Sequence, residues 1–472
     1  MIKINWTEQF ITQQEKILQE IFKTGKGAEG MKTVKFSLDK DIPVVAEADV
    51  LVVGGGPGGV GAAVMSAREG ASTILAEQHG CMGGTATFGE ITPMMTNHYA
   101  ADGKLEHSIS MDRPVYTELM ERMWSYLPKE LQPAVSDTEW NSRRFIVSKD
   151  LISLAMEDLC LEAGVKLFYH FRLVAVAVEN RKIQYAVFHT KSGFVAIRAK
   201  NFVDATGDGD LAALAGCRFE FGDTAHGLCQ PMTLCFKLSH VDKSRMDNRK
   251  MQELYLKAQA EGRIECKREN VLMFGYFDDD IFHFNTTRVL GKSAIDALQR
   301  SEAELEGRRQ MRQFVNWLRA EVPGFEHAVI HSMAPEIGIR ESRRIRGRAY
   351  LTQEDFVRRS KFEDAIARCN YPIDIHSVTG SGTSFVTMQK NEYYEIPFGC
   401  IVAADVDNLT IGGRPISVSH ELHASSRVMP PACSVGQAAG IAAAMASRKG
   451  ISSSELKGTE VRKELVARGA WL

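Results

Sequence analysis

One short stretch, VVGGGPGGVGAA at residues 52–63, constrains the fold more than any other part of the chain. Five of the six residues from Gly54 to Gly59 are glycine, an apolar run precedes them, and an alanine-rich segment follows. This order is typical of a buried strand, a tight turn and a helix. A second apolar run, STILAEQ, comes after the helix, so the segment predicts a βαβ unit and a parallel sheet.

The spacing of Gly54, Gly56 and Gly59 fits G-x-G-x-x-G. The first glycine permits the turn, the second lets a pyrophosphate approach the backbone, and the third lets the helix and the strand pack closely. Free amides at the helix start hold phosphates. Glu77 ends the next strand, where a carboxylate accepts hydrogen bonds from ribose hydroxyls and disfavours NADP. The sequence therefore predicts dinucleotide binding.

The choice between NAD and FAD depends on glycine-rich segments much further along the chain. These segments are GCMGGTAT (80–87), DATGDGDLAALAG (204–216), LTIGGRPIS (409–417) and PACSVGQAAGIAAA (431–444). Several close backbone approaches favour a ligand that extends well past its pyrophosphate, as FAD does. The last segment predicts a helix that starts near Ser434, whose positive dipole end would stabilise the reduced flavin.

These motifs, together with GIRESRRIRG (338–347) and FEDAIARCNYPIDIH (362–376), resemble the FAD-dependent oxidoreductase family. That family is distantly related to the fumarate reductase and glutathione reductase flavoproteins. The resemblance implies an α/β fold in which a discontinuous Rossmann-like FAD-binding domain, a parallel sheet plus an antiparallel meander, carries an inserted α+β substrate domain. The expected ranges are 1–47 for an N-terminal helix and arm; 48–110, 145–216 and 396–450 for the FAD-binding domain; 111–144 and 217–395 for the substrate domain; and 451–472 for the tail.

The resemblance also implies which residues contact FAD. They are Gly54, Gly56, Pro57, Gly58, Gly59, Glu77, Gln78, Gly83, Gly84, Thr85, Val174, Ala205, Thr206, Gly207, Asp208, Gly412, Arg414, Gly436, Gln437 and Ala438. His79 is out of register with the flavin-linked histidine of fumarate reductase-type proteins, so we expect non-covalent FAD. Covalent attachment through His79 or Cys81 stays open, because both carry a nucleophile near the ribose acid.

Arg340 and Arg343 are candidates to hold a substrate, because arginine binds carboxylates through a bidentate fork. The alternative for this arginine-rich segment is a solvated basic face or ion pairs with Glu341 and Asp355. His420 comes shortly before the predicted flavin-facing helix, and a histidine there can act as acid or base near neutral pH. In the predicted mechanism Arg340 or Arg343 holds the substrate, His420 moves a proton, and flavin N5 exchanges a hydride with the substrate.

Further candidates for the cavity are His376, Tyr393–Tyr394 and His98. A metal site is not expected, since His420 and His423 have no evident third ligand.

Composition limits the partners and the compartment. The formal net charge of -2 leaves no basic excess to attract nucleic acid or an anionic membrane. Nine scattered cysteines without a CxxC favour a reducing compartment, and no signal peptide or membrane span is evident, so we predict a cytoplasmic protein. Residues 5–24 predict an amphipathic helix whose apolar face contacts the body or a second subunit.

Three functional hypotheses remain open at this point. One is an FAD-dependent oxidoreductase for a small organic substrate, with electrons from the substrate, a partner protein or a diffusible donor. The second is an NAD-dependent dehydrogenase with an unusual C-terminus. The third is a flavin-binding subunit of a larger redox complex that docks through its N-terminal helix. The sequence leaves the substrate open among polyols, sugar-like compounds, hydroxy acids and enoates.

Overall fold

The computed structural model describes residues 41–95, 97–104, 107–132, 148–276 and 278–472. Its strands, in chain order, are β1 (Val44–Val53), β2 (Thr73–Ala76), β3 (His98–Tyr99), β4 (Ile109–Ser110), β5 (Lys166–Phe168), β6 (Arg172–Glu179), β7 (Lys182–Thr190), β8 (Gly193–Asp204), β9 (Phe219–Phe221), β10 (Phe236–Ser239), β11 (Met273–Gly275), β12 (Phe282–Phe284), β13 (Val329–Met333), β14 (Arg343–Ile345), β15 (Ala365–Cys369), β16 (Ile373–His376), β17 (Thr383–Val386), β18 (Tyr394–Pro397) and β19 (Leu409–Ile411).

The α-helices, in the same order, are α1 (Pro57–Arg68), α2 (Val115–Ser125), α3 (Lys149–Glu162), α4 (Asp210–Leu214), α5 (Asn248–Ala260), α6 (Ala297–Glu321), α7 (Gln353–Arg358), α8 (His420–Ser426), α9 (Met429–Lys449) and α10 (Gly458–Ala467). The predicted helix over residues 5–24 lies outside the described residues.

A seven-stranded sheet forms the larger half of the fold. Its order is β5-β2-β1-β8-β7-β6, and β19 also pairs with β8. The pairs among β5, β2, β1, β8 and β19 are parallel, whereas β6, β7 and β8 form the antiparallel meander that the sequence predicted. The last four residues of β1 and all of β2 are buried, because helices and loops cover both faces of a parallel sheet. The α/β fold class is therefore confirmed.

The strand register determines where a ligand can bind. Val53 pairs with both Ala76 and Asp204, and Asp204 also pairs with Ile411. The carboxyl ends of β1, β2, β8 and β19 consequently lie side by side. Ligands of open α/β sheets bind at this edge, and each of the four strands is followed here by one of the predicted cofactor-binding segments.

Helices α1 and α9 cross closely enough for their backbones to touch. A Cβ atom added to Gly436 would lie 2.0 Å from the carbonyl oxygen of Gly58, and one added to Gly440 would lie 2.0 Å from that of Ala62. Only glycine permits such an approach. This contact holds the C-terminal part of the chain against the turn at the end of β1.

A second hydrophobic core is built on the antiparallel sheet β11-β12-β10-β13. Phe236 and Phe284 stack on adjacent strands with ring centroids 4.9 Å apart. Helices α5 and α6 cover the sheet with Tyr255, Phe314 and other buried side chains. The members of this core lie between residues 234 and 334.

The second core covers fewer residues than the ranges predicted for the substrate domain. The first core covers correspondingly more residues than predicted for the FAD-binding domain. Side chains of 345–394 and of α2 pack into the first core, although the prediction placed them in 217–395 and 111–144. Strand β1 also starts at Val44, inside the predicted N-terminal arm. The sequence could not show this, because which core an apolar residue joins depends on contacts between distant segments.

Among the described residues, no helix by itself has the length and apolarity to cross a bilayer. Helices α8 and α9 meet that criterion only as a pair, across a bend of 93°.

Replacing Gly440 with alanine tests the helix contact. Alanine is the better helix former by about 1 kcal/mol, but its methyl group would overlap the Ala62 carbonyl. We expect Gly440→Ala to lower the free energy of unfolding by about 1–3 kcal/mol, as overpacking does. The matched control is Gly275→Ala, where an added Cβ meets nothing within 4 Å. Equal urea midpoints for the two variants would contradict the contact.

His283 lies fully buried on β12, and neither ring nitrogen has a hydrogen-bond partner among the described residues. Burial and the nearby Lys237 cation lower the pKa of His283 to about 3. The folded protein therefore keeps this ring neutral, whereas the unfolded chain takes up a proton below pH ~6.5. The stability that this difference contributes is present above pH ~6.5 and is lost as the pH falls toward 3.

His283→Leu should therefore make unfolding less sensitive to acid. Leucine buries no polar nitrogen, so we expect little loss of stability at pH 8. Between pH 7 and pH 5 the wild type should lose roughly 2 kcal/mol more than the variant. Urea denaturation across this range measures the difference. Parallel pH profiles would show that His283 titrates normally in the folded state.

Candidate functional site

The turn after β1 presents bare backbone at the carboxyl edge of the sheet. Gly54 has a φ of +103°, and a Cβ there would lie 2.3 Å from the carbonyl oxygen of Ala205. Gly56 caps α1 without a side-chain hydrogen bond, and an added Cβ at Gly56 would meet nothing within 4 Å. The free amides of the first turn of α1 therefore face open space, as an anion site requires.

Glu77 is held at the end of β2 by two backbone donors. Its carboxylate accepts from the Gly55 amide at 2.6 Å and from the His79 amide at 2.9 Å. A carboxylate has about four acceptor sites. The remaining lone pairs can accept hydrogen bonds from the hydroxyls of a ribose.

The loop after β8 forms a third part of the site at the carboxyl edge of the sheet. The Asp208 carboxylate accepts from Arg414 at 2.5 Å and from the Ser342 hydroxyl at 2.6 Å, while Arg414 Nε donates to the Gly207 carbonyl at 2.8 Å. These bonds tie the loop after β8 to the loop after β19. Arg414 and Asp208 thus hold the two loops in place beside the glycine turn.

All of these groups line one cavity of about 1020 Å³. That volume is at the upper end of the roughly 300–1,000 Å³ found for single ligand sites, so it has room for a long cofactor and a small substrate. The predicted cofactor residues in its wall are Gly54, Gly56, Pro57, Gly58, Glu77, Gln78, Gly84, Thr85, Val174, Ala205, Thr206, Gly207, Asp208, Gly412 and Arg414.

Five predicted cofactor residues lie outside the wall. Gly59 packs against the Gly54 carbonyl, which is the close helix–strand contact expected of a third glycine. Gly83 has a φ of +115° and turns the chain beside Thr87. Gly436 contacts Gly58, and Gln437 accepts a hydrogen bond from the Val115 amide. Ala438 is fully buried.

Gly436, Gln437 and Ala438 lie outside the cavity wall because α9 starts at Met429 and not near Ser434. Pro430 and Pro431 lie in its first turn, where their missing amide protons cost no hydrogen bond. The prediction treated these prolines as preceding the helix. The N-terminal turn that lines the cavity is consequently formed by Val428, Met429 and Ala432.

His420 does not reach the cavity wall, so the predicted acid–base role does not fit its position. Its Nδ1 lies 2.8 Å from Glu341 Oε1, and Glu341 also accepts a hydrogen bond from Arg344. All three side chains are buried. The alternative interpretation of this arginine-rich segment, internal ion pairing with Glu341, therefore holds for Arg344.

Arg340 and Arg343 both line the cavity but differ in their partners. Arg343 forms an ion pair with Asp210 at 2.7 Å and donates to the Asp208 carbonyl. Arg340 donates to the Pro231 carbonyl at 2.6 Å and to the Thr233 hydroxyl at 2.5 Å. No carboxylate within the described part of the chain lies within 4 Å of Arg340, which makes it the better candidate to hold a substrate.

A family model described as FAD dependent oxidoreductase matches residues 49–465. The chain belongs to this family. Membership makes it an oxidoreductase with FAD as its cofactor, and it decides against the NAD-dependent dehydrogenase. The open glycine turn, the ribose-type acid Glu77 and the long cavity fit this cofactor.

Two relatives align with about a third of the chain. The digeranylgeranylglycerophospholipid reductases of Thermoplasma acidophilum and Thermoplasma volcanium are 28% and 27% identical over 162 residues, which cover 34% of this chain and 39% of each relative. The chain thus spans about two fifths of the length of these relatives.

Among solved structures, a geranylgeranyl bacteriochlorophyll reductase-like protein from Thermoplasma acidophilum has a TM-score of 0.42 at 13% identity, covering 90% of this chain and 84% of that one. The p-nitrophenol 4-monooxygenase of Pseudomonas putida DLL-E4 has a TM-score of 0.44 at 9% identity, covering 90% and 85%.

Three cavity residues, Arg268, Tyr371 and Asp374, were not singled out from the sequence as site candidates. Arg268, Tyr371, Asp374 and Arg427 line the cavity together with Arg340 and His376. We call this set of six residues the arginine end. The segment FEDAIARCNYPIDIH, which resembles the family, contains Tyr371, Asp374 and His376, so that resemblance could have indicated them. Arg268 has no sequence signal of its own.

The remaining predicted candidates divide between the cavity wall and other parts of the fold. Tyr393, Tyr394, His98 and Cys81 are absent from the cavity wall, whereas His79 lines it and stacks on Phe88 at 3.7 Å. In the described ranges no group of three histidine, cysteine or carboxylate side chains is arranged to hold a metal ion.

Gly56→Val tests the position of the cofactor. The new side chain would extend into open space, and valine is only a poorer N-cap, so the FAD-free protein should lose at most about 1 kcal/mol. A phosphate can no longer approach the backbone, and we expect the dissociation constant of FAD to rise at least about tenfold, or 1.4 kcal/mol. Titration with FAD, with Gly275→Val as the control, measures this. Unchanged affinity would place the pyrophosphate elsewhere.

Proposed function

We propose that the protein transfers a hydride between FAD and a small organic substrate that binds at the arginine end of the cavity. The observation that supports this most directly is the continuity of the cavity. Gly56 of the cofactor-binding turn, Arg340 and His376 all line the same cavity. A substrate at the arginine end is then able to reach a cofactor that starts at the glycine turn.

The bound cofactor supplies hydride exchange, and the protein supplies binding, orientation and proton transfer. Hairpin β16–β17 carries Asp374, His376 and Thr383 into the wall. Although burial opposes it, the ring of His376 and the Arg427 and Arg340 cations lower the pKa of Asp374, so this carboxylate is ionised. Burial and the Asp374 charge raise the pKa of Tyr371 to about 12, so its hydroxyl stays a donor.

His376 is the residue placed to move a proton. Its Nε2 lies 3.5 Å from Asp374 Oδ1, and its Nδ1 lies 3.0 Å from the Thr383 hydroxyl. Burial and the Arg340 cation lower the pKa of His376 to about 3, so the ring is unprotonated at neutral pH. Oxidation of an alcohol-type substrate would send the hydride to the cofactor and the hydroxyl proton to His376, and reduction would reverse both transfers.

The partners of the reaction belong to the same proposal. We propose non-covalent FAD, a cytoplasmic location, and a separate electron donor or acceptor for the cofactor. Docking in a larger complex or a homo-oligomer through the helix of residues 5–24 stays a prediction, since that segment lies outside the described residues.

Anaerobic mixing of the FAD-loaded protein with a metabolite panel tests the proposed function. Polyols, sugars, hydroxy acids and enoates are added singly to oxidised and to chemically reduced protein, and the flavin absorbance near 450 nm is followed. We expect one compound class to bleach the oxidised flavin or to restore the colour of the reduced flavin. A panel without any change in either state would contradict hydride transfer to a small substrate.

His376→Gln should separate proton transfer from cofactor binding. Glutamine can still hydrogen-bond to Thr383 but cannot act as acid or base, so we expect flavin reduction by the substrate to slow roughly 100-fold or more. FAD affinity should be unchanged. His331→Gln, an exposed histidine on β13, is the matched control. If His376→Gln reacts at the wild-type rate, another group moves the proton.

A further inference from the structure

The charged side chains of the cavity wall divide into two groups. Three arginines are paired with carboxylates: Arg414 with Asp208 at 2.5 Å, Arg343 with Asp210 at 2.7 Å and Arg300 with Glu336 at 2.9 Å. In each pair the carboxylate neutralises the charge of the arginine. Beside the segments that hold the cofactor they leave the Glu77 carboxylate, whose hydrogen-bond donors are backbone amides.

The arginine end is different, because its arginines have only neutral partners. Arg268 donates to the Asn270 side chain at 3.2 Å, and Arg427 donates to the backbone carbonyl of Asp374 at 3.4 Å. Arg340 has the Pro231 carbonyl and the Thr233 hydroxyl. The buried Nε of Arg427 has no hydrogen-bond partner among the described residues.

The carboxylates in and beside the arginine end do not balance these cations. Glu269 is in the wall but pairs with Arg288 at 2.9 Å and accepts from the Thr383 hydroxyl at 2.8 Å. Asp374 is the one carboxylate among the six residues of the arginine end, against the three guanidinium groups of Arg268, Arg340 and Arg427. The arginine end thus carries two more guanidinium groups than carboxylates.

An excess of positive charge in a largely buried wall is costly unless an anion compensates it. Arg268 is only 4% exposed. Burial and the repulsion from Arg268 and Arg427 lower the pKa of Arg340 to about 9, which still leaves it charged at neutral pH. The molecule therefore keeps like charges together at a place where a ligand binds.

We propose that the arginine end binds an anionic group of the substrate, a carboxylate or a phosphate, through Arg340 with Arg268 and Arg427 beside it. This inference rests on the proposed function and selects among the substrate classes, since it excludes neutral polyols and unmodified sugars. Guanidinium groups bind both anions through paired N–H donors, so the two sources share one chemistry.

Paired ligands that differ only in charge test the proposal. The FAD-loaded protein is titrated with lactate against propane-1,2-diol, and with glycerol 3-phosphate against glycerol. Calorimetry and the perturbation of the flavin absorption spectrum report binding without turnover. We expect at least one anion to bind ten times or more tightly than its neutral partner, and the better pair distinguishes a carboxylate from a phosphate.

Arg340→Met should weaken the preferred anion at least tenfold and leave the neutral partner unchanged, while Arg340→Lys should retain part of the preference. The matched control is Arg249→Met, an exposed arginine of α5 outside the cavity wall. Retained FAD absorbance would show that Arg340→Met folds, and Arg427→Met provides a second test if that absorbance is lost.

Equal binding of charged and neutral partners, or an anion preference that survives both Arg340→Met and Arg427→Met, would overturn the proposal. A neutral compound that bleaches the flavin would overturn it as well, yet leave the proposed hydride transfer intact. Arginine-dependent anion binding without flavin reduction by any compound of the panel would support the anion site and contradict the proposed function.

Discussion

The backbone contact between α1 and α9 is the interaction on which the site depends. Gly436 and Gly440 lie so close to the carbonyl oxygens of Gly58 and Ala62 that no side chain fits between the helices. The first turn of α9 is thereby held in the wall of the same cavity as the glycine turn after β1. A cofactor that reaches from one to the other bridges segments from opposite ends of the described chain.

Electrostatics divides the cavity into two parts with different tasks. Beside the cofactor-binding segments, ion pairs such as Arg414–Asp208 neutralise the arginines and fix the loops. At the arginine end, the guanidinium groups of Arg268, Arg340 and Arg427 have neutral partners only. Paired charges hold structure in place, whereas uncompensated charges in a low-dielectric wall give binding energy to a ligand of opposite sign.

The comparison of sequence and structure separates local from distant effects. The βαβ unit, the meander and the place of Glu77 were predictable, because each follows from residues close together in the chain. The start of α9 was predicted five residues too late, since prolines in a first helical turn look like residues that precede a helix. His420 was assigned to the cavity from its neighbourhood in the sequence, but its ring turns to Glu341.

The sequence by itself determined the glycine turn, the acid that follows it and the class of cofactor. Those features depend on backbone freedom at Gly54, on the missing side chain at Gly56 and on local strand and helix patterns. Tertiary structure alone decided which arginines face a ligand. Arg344 and Arg340 stand four residues apart, yet Glu341 neutralises the first while the second faces the cavity without a carboxylate partner in the described residues. The Glu341–Arg344 pair is local, but Pro231 and Thr233, the partners of Arg340, come from a distant segment, so no local pattern shows that Arg340 faces the cavity.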